Sequence, residues 1–321
     1  MAPAVSIIVP TFNRLEFLPA AIASAFAQSF TDWELIIADD GSESHTSSYL
    51  ASLEDPPRVR VLRLAHSGKP GVVRNAALRA ARGEFVAFLD SDDLWLPQKL
   101  ATQMARLKER PECRWSYTRF SQVDAAGHPR AGANLRSFPA PGGWILEKIL
   151  REETVIALPS VVVARGLLQR VGGFDEELVM CEDDALWLRL AAESEIDGVD
   201  ATLTLIRRHG QHSGSDIVAW QDRRRVFTKA LRAEVGTQHK RLLHRLRAEM
   251  STGLAKSHAT SGARLRVLAT LCASAPYSWR YRAWWLGAMT AAARAFAPAA
   301  AQSLVRRYRQ REIVRRNSVR P

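Results

Sequence analysis

The sequence predicts an α/β fold: a layered α/β/α arrangement around a mostly parallel central sheet, followed by a basic, mainly helical C-terminal extension. Three observations predict it. Short β-branched runs alternate with helical periodicity over the first 95 residues. A polar cluster stands at the end of three of those runs. After Trp220 the strand patterns stop and arginines multiply.

Taken in order, Val5–Val9 is an apolar run closed by Pro10, and Leu15–Gln28 reads as a helix with Leu15, Leu18, Ile22 and Phe26 on one side. Trp33–Ala38 is a second strand, stopped by Asp39-Asp40-Gly41-Ser42. Val59–Leu64 is a third strand, Pro70–Ala81 a helix and Phe85–Leu89 a fourth strand. Runs that are apolar throughout are buried on both faces, which calls for a parallel sheet covered by helices. Beyond it, Leu94–Arg110 is expected as a helix, Cys113–Thr118 and Leu158–Ala164 as strands, Ala185–Ala192 as a helix and Ala201–Arg207 as a late strand. Gln122–Ser137 reads as a loop or small hairpin around Gly127. Phe227, Leu231, Val235, Leu242, Leu246 and Met250 form a helical stripe, and Trp285, Met289, Phe296, Leu304 and Tyr308 a later one.

Composition bounds the rest. The 321 residues are 47% hydrophobic and 24% charged, proportions that exclude a disordered, collagenous or disulfide-scaffolded chain. Cys113, Cys181 and Cys272 form no CxxC, which suits a reducing compartment. The net charge of +12 is unevenly spread. Residues 223–321 carry 22 Lys and Arg against 3 Asp and Glu, leaving 23 basic and 30 acidic side chains in residues 1–222. The expected division is therefore a mildly acidic body, 1–222, and a basic region, 223–321. The amino terminus lacks a charged n-region and a long apolar core, so it does not read as a secretory signal. Ala283–Val305 is interrupted by Arg294 and Pro298 and does not make a membrane span.

Chemistry concentrates where strands end. Asp90-Ser91-Asp92-Asp93 sets three carboxylates within four residues, and oxygen-rich acidic sets suit Mg²⁺ or Mn²⁺ bound together with substrate phosphate oxygens. The competing reading makes Asp93 the cap of the following helix. Glu182-Asp183-Asp184 opens a short helix. Its acids serve as caps, or Asp183 faces a cleft as a general base while its neighbours turn away. Asp39-Asp40-Gly41-Ser42 is either a tight turn or, opposite Thr11-Phe12-Asn13, part of a nucleoside pocket in which Phe12 stacks on a base. Arg74 would then contact the nucleotide. His209 and His212 are candidate site residues or ordinary loop histidines.

In their order and spacing, several segments resemble the family-2 glycosyltransferases of the GT-A fold. They are Val5–Arg14, Gln28–Leu35, Asp39–Ser42, Arg74-Asn75, Leu89–Asp93, Gly172–Glu176, and Glu182-Asp183 with Leu186 and Arg189. The resemblance covers about residues 4–210. It implies transfer of a sugar from a UDP-, GDP- or dTDP-linked donor to a glycan or lipid-linked acceptor, with inversion and with a divalent metal (Mn²⁺ or Mg²⁺). It further implies that Pro10, Thr11, Phe12, Asp40 and Arg74 line the nucleotide pocket. Asp90 and Asp92 would form the DxD pair, with Asp92 on the metal. Asp183 would be the catalytic base, and His209 would lie near the diphosphate. Cell-envelope polysaccharide or lipid-linked glycan is the implied product, made at the cytoplasmic face of the plasma membrane. The segments Gly132–Trp144 and the loop before Glu182 are expected to shape the acceptor site.

The basic region lies outside the resemblance. Its arginines interleaved with Trp279, Trp284 and Trp285 suit an anionic membrane surface, against the plainer reading of a solvated helical extension. No nucleic-acid motif accompanies the charge. A nucleotidyltransferase would want a glycine-rich phosphate loop after the first strand, and Pro10–Arg14 contains no glycine. A catalytically inactive scaffold of the same fold is the remaining alternative.

Overall fold

The computed structural model describes residues 2–53, 58–130, 139–210, 215–233 and 235–297. It divides into two compact units, Met1–Ser213 and Gly214–Pro321. Residues 222 and 223, the division expected from charge, fall inside the first helix of the second unit.

In the first unit, β1 (Val5–Thr11), α1 (Leu18–Phe26), β2 (Trp33–Asp39), α2 (Ser44–Ala51), β3 (Val59–Arg63), α3 (Pro70–Ala80) and β4 (Phe85–Phe88) alternate as the periodicity predicts. There follow β5 (Leu94–Trp95), α4 (Lys99–Glu109), β6 (Trp115–Val123), α5 (Leu146–Leu150), β7 (Val161–Ala164), α6 (Arg165–Arg170), α7 (Glu182–Glu193) and β8 (Ile196–Arg207). They build one eight-stranded sheet in the order β3-β2-β1-β4-β7-β6-β8-β5. β7 is antiparallel to both its neighbours and β5 is antiparallel to β8; the other neighbouring pairs are parallel.

Alternation along the strands makes three layers. Val5, Ile7 and Val9 of β1 join Leu35, Ile37 and Val162 beneath α1 and α4, where Leu18, Ala21, Ile22 and Leu100 close the core. Ile8, Ile36 and Phe88 point the other way, against Val73 and Ala77 of α3 and Leu186, Trp187 and Leu190 of α7. β1, β2 and β4 therefore bury both their faces, the physical reason for their largely apolar runs.

Several boundaries differ from expectation. Leu94 and Trp95 do not begin a helix; they pair with Leu205 and Thr204 of β8, and α4 starts only after Pro97. Proline disfavours helical backbone in the residue before it, which separates the two elements. Leu158–Ser160 is a 3₁₀ turn rather than strand. The expected hairpin at Gly127 is present as a tight turn from Asp124 to His128, with Val123 bridged to Pro129; residues 131–138 lie outside the described residues.

The second unit is helical: α8 (Asp216–Arg232), α9 (Val235–Thr260), α10 (Arg264–Ser278) and α11 (Arg282–Phe296). Small residues set its spacing. A Cβ on Gly253 of α9 would lie 2.6 Å from the Trp220 ring of α8, and one on Gly287 of α11 would lie 2.5 Å from Thr252 of α9. The buried line runs through Val226, Leu243, Leu246 and Met250, so part of the expected stripe is displaced by one residue. No described helix is long and apolar enough to cross a membrane.

In the first unit, Gly143 exchanges backbone hydrogen bonds with Ile196 at 2.8 and 3.0 Å, fastening the preceding segment to β8. A Cβ on Gly198 would fall 2.0 Å from the Ala140 carbonyl oxygen. Gly198→Ala should therefore lower stability by about 1–3 kcal/mol, the usual penalty of overpacking, as measured by denaturant unfolding.

Candidate active site

The order β3-β2-β1-β4 makes β1 the point where the chain turns to opposite sides of the sheet, and in open α/β sheets the crevice for ligands lies outside the carboxyl ends of the strands at such a point. Thr11–Asn13, Asp39–Ser42 and Asp90–Asp93 all follow strands that end at this edge. The first two segments are joined directly. The Asp40 amide donates to the Thr11 carbonyl at 2.9 Å, and the Asn13 amide to Ser42 Oγ at 2.8 Å. Asn13 adopts φ 49°, a left-handed conformation asparagine tolerates, and its Oδ1 accepts from the Glu43 amide. Asp39 accepts from the Ser42 amide, so the turn reading of this segment also holds.

Asp40 is buried and both its carboxylate oxygens are engaged. Oδ1 accepts from the Ser67 amide and hydroxyl at 2.8 and 2.9 Å, and Oδ2 from the Gly68 amide at 2.9 Å. Expected as a ligand contact, Asp40 thus holds the 66–68 loop. That loop sets His66 against Phe12, ring centroids 4.1 Å apart and nearly parallel, with Phe12 still 40% exposed. Thr11 is buried beside them with its hydroxyl unpartnered, and Pro10 is half-buried within β1. His66 and Ser67 escaped the sequence reading because they follow no motif; only the fold brings them to Asp40.

Arg74, expected at the nucleotide, is buried on α3 and spans two carboxylates. One guanidinium nitrogen donates to Asp90 Oδ1 at 2.7 Å and the other to Glu182 Oε1 at 2.5 Å. Burial works against its charge, but Asp90 and Glu182 outweigh that effect and hold its pKa raised. Asp90 is itself raised: burial and the neighbouring Asp92 outweigh the pull of Arg74. The neighbouring Asn75 clamps the Gly172–Glu176 turn. Its Oδ1 accepts from the Phe174 amide at 2.9 Å and its Nδ2 donates to the Phe174 carbonyl and Glu176 Oε1. A Cβ on Gly173 would sit 2.7 Å from Asn75 Oδ1, at φ +66°.

The remaining acids meet the end of β8. Asp93 does not cap α4; it is buried, and its Oδ1 accepts from the Arg207 amide at 2.7 Å. Burial and the nearby Asp90 and Asp92 push its pKa well up. Asp92, still partly exposed, lies 2.9 Å from His209 Nε2, while Phe17 stacks on the His209 ring with centroids 4.7 Å apart. His212 lies outside the described residues, as does most of the Gly132–Trp144 segment.

Asp183 stands in the first turn of α7, preceded by Cys181 at φ 62°. Burial, reinforced by Asp184 and Glu182, raises its pKa to about 8 despite a hydrogen bond from the Asp184 amide. Of its neighbours, Glu182 does not face solvent but turns inward to Arg74. Such a carboxyl, half-buried among other acids and with a raised affinity for its proton, is suited to accept one from a substrate.

Among the described residues, no three or more His, Cys, Asp or Glu side chains are grouped to hold a metal ion. Asp92 and His209 nevertheless offer an oxygen and a nitrogen donor 2.9 Å apart at the crevice. Two protein ligands suffice where substrate oxygens complete the shell, so this donor set fits a divalent cation.

The glycosyl transferase family 2 profile matches residues 6–154. The putative teichuronic acid biosynthesis glycosyltransferase TuaG of Bacillus subtilis is 34% identical over 191 residues, 59% of this chain and 72% of the relative. The UDP-Glc:α-D-GlcNAc-diphosphoundecaprenol β-1,3-glucosyltransferase WfgD of Escherichia coli is 30% identical over 196 residues, 61% of this chain and 73% of that protein. An uncharacterized glycosyltransferase of Rickettsia felis is 30% identical over 206 residues, 64% of this chain; the match spans only 33% of that longer protein. Among solved structures, S. aureus TarS 1–349 in complex with UDP-GlcNAc aligns with TM-score 0.66 at 21% identity, covering 92% of this chain and 88% of that one. The mannosyltransferase PcManGT from Pyrobaculum calidifontis, in complex with GDP-Man and Mn²⁺, aligns at 0.58 with 20% identity, covering 92% and 87%. At these identities the structural likeness is one of fold.

Removing one partner of a buried ion pair strands the others. Arg74→Met should therefore cost about 3–5 kcal/mol at neutral pH, and adding Glu182→Gln should recover part of the loss, both read by denaturant unfolding.

Proposed function

The chain belongs to glycosyl transferase family 2, and on that premise we propose that it moves a sugar from a nucleotide-diphosphate sugar to an acceptor hydroxyl, inverting the anomeric carbon. The observation that carries the reading is Asp183: a half-buried carboxyl, its pKa raised to about 8, held on the helix whose Glu182 is tied through Arg74 to Asp90.

In this reading Thr11 and Phe12, braced by Asp40 and His66, receive the nucleoside, and Asp90–Asp92 with His209 face the diphosphate. Asp92 and His209 would hold a divalent cation, with Asp90 tied to Arg74 beside Asp92. When bound, such a cation neutralises the charge that gathers on the departing diphosphate. Asp183, once ionised, takes the proton of the acceptor hydroxyl as that oxygen attacks the anomeric carbon from the face opposite the leaving group. Bond making and breaking occur in one displacement, so no covalent nucleophile is needed.

TuaG and WfgD, by their names, act in teichuronic acid synthesis and on a diphosphoundecaprenol-linked sugar. They support an envelope polysaccharide or lipid-linked glycan as the acceptor. A nucleotidyltransferase is disfavoured by the β1 turn, which has no glycine to admit a phosphate against the backbone. A scaffold without activity would gain nothing from keeping Asp183 half-buried among like charges.

Donor binding is tested first by thermal shift with UDP-, GDP- and dTDP-sugars, with and without Mn²⁺. One nucleotide should stabilise the protein in a metal-dependent way, and Asp92→Ala should abolish that dependence. No shift with any donor at saturation would refute the reading. Asp183→Asn should keep the donor shift and lose turnover by about 10²–10⁴-fold.

Acidity supplies a second check. The base must be ionised, so kcat/KM should rise as pH passes upward through about 8. The raised pKa also means that the folded protein binds a proton which the unfolded chain has already released. Stability is therefore lost as pH rises from the ordinary carboxylate range through about 8, and Asp183→Asn should melt higher than the parent above that pH.

A further inference from the structure

In the helical unit, α10 and α11 turn most of their large apolar side chains outward. On α10, Leu265, Leu268, Cys272, Pro276 and Trp279 recur at helical spacing and all are exposed, Leu265 to 82%. The opposite, buried line of the same helix carries three hydroxyls, Thr270, Ser274 and Ser278, together with Val267. α11 repeats the pattern. Gly287, Ala288, Ala291 and Ala295 face inward with Trp284, whereas Trp285, Leu286, Met289 and Phe296 face outward, Met289 66% exposed. Trp285 Nε1 donates to the Trp279 carbonyl at 2.7 Å, which joins the two outward stripes at the turn between the helices.

Isolated exposed leucines are ordinary, but two adjoining helices with large apolar groups outside and small or hydroxyl-bearing ones inside reverse the usual arrangement. Small and hydroxyl residues at helix contacts, with bulky apolar groups on the periphery, suit surroundings that are themselves apolar. The charge around the stripes identifies the surroundings. From residue 264 to 297 the ionisable side chains of Lys, Arg, Asp and Glu are Arg264, Arg266, Arg280, Arg282 and Arg294; there is no acid. Arg280 lies 5.1 Å from the centre of the Trp279 ring, pairing a cation with the aromatic type enriched at bilayer interfaces. Two copies meeting through this face would bring arginines together without counter-charge. An anionic headgroup layer over an acyl interior offers both complements. Since neither helix is suited to cross a bilayer, the stripes would lie in its plane.

We propose that the outward faces of α10 and α11 form a membrane-docking surface, seating Trp279, Trp285, Leu286, Met289 and Phe296 in the interfacial layer of an anionic bilayer while the arginines bind headgroup phosphates. This surface is independent of the sugar-transfer reading, and its test does not use activity.

The full chain is sedimented with vesicles of phosphatidylcholine alone or mixed with phosphatidylglycerol. Binding should require phosphatidylglycerol and weaken at about 0.5 M salt, where charge is screened. Trp285→Ser/Met289→Ser/Phe296→Ser changes exposed positions only; with an unchanged melting curve it should weaken binding about tenfold or more. Arg280→Gln/Arg282→Gln, tested in parallel, should weaken binding to the mixed vesicles. The proposal is overturned if the parent ignores anionic vesicles, if the triple variant binds as well as the parent, or if the triple variant instead abolishes a dimer of a protein that binds no vesicles.

Discussion

One guanidinium holds the candidate site together. Arg74 sits on α3, and its two ends reach the acid that follows β4 and the acid that opens α7. Without the cation, Asp90, Glu182 and Asp183 would be anions facing one another in a poorly solvated space. With it, two are paired and the third keeps a raised affinity for its proton. The interaction is therefore less a source of net stability than the condition under which three carboxylates can share the crevice.

The next residue performs the complementary task with neutral groups. Asn75 captures both backbone groups of Phe174 and the Glu176 carboxylate, so consecutive side chains of one helix secure the two ends of the segment that leads into α7. On the other side of β1, Asp40 does the same for the 66–68 loop through three hydrogen bonds. The acids that look like ligand contacts in the sequence thus include several whose structural work is to hold loops against the ends of strands.

The helical unit obeys a different constraint. Its spacing is set by Gly253 and Gly287, where a neighbouring side chain fills the volume a Cβ would need. With glycine, alanine and hydroxyl residues taking most inner positions, the large side chains of α10 and α11, Trp284 apart, are left to the outside. Of the later stripe that the sequence suggests, Trp285, Met289 and Phe296 share an exposed face, and Leu304 and Tyr308 lie outside the described residues. Periodicity identifies a common face, but not whether that face meets protein or something else.

The linear chain determined the layered α/β architecture, because strands buried on both sides of a sheet must be largely apolar, and β1, β2 and β4 are. It also determined where chemistry gathers, since polar clusters directly after such strands have no place except the sheet edge. Leu94 and Trp95 were not legible: two residues carry no period, and only pairing with β8 makes them a strand. Nor were the partners of the charged groups. Arg74 is 108 residues from Glu182, Asp92 is 117 from His209, and Asp93 is 114 from Arg207. Whether an acid caps a helix, binds a distant amide or stands ready for a proton depends on what the tertiary structure brings within hydrogen-bond reach and how completely it excludes water, and neither is a property of neighbours along the chain.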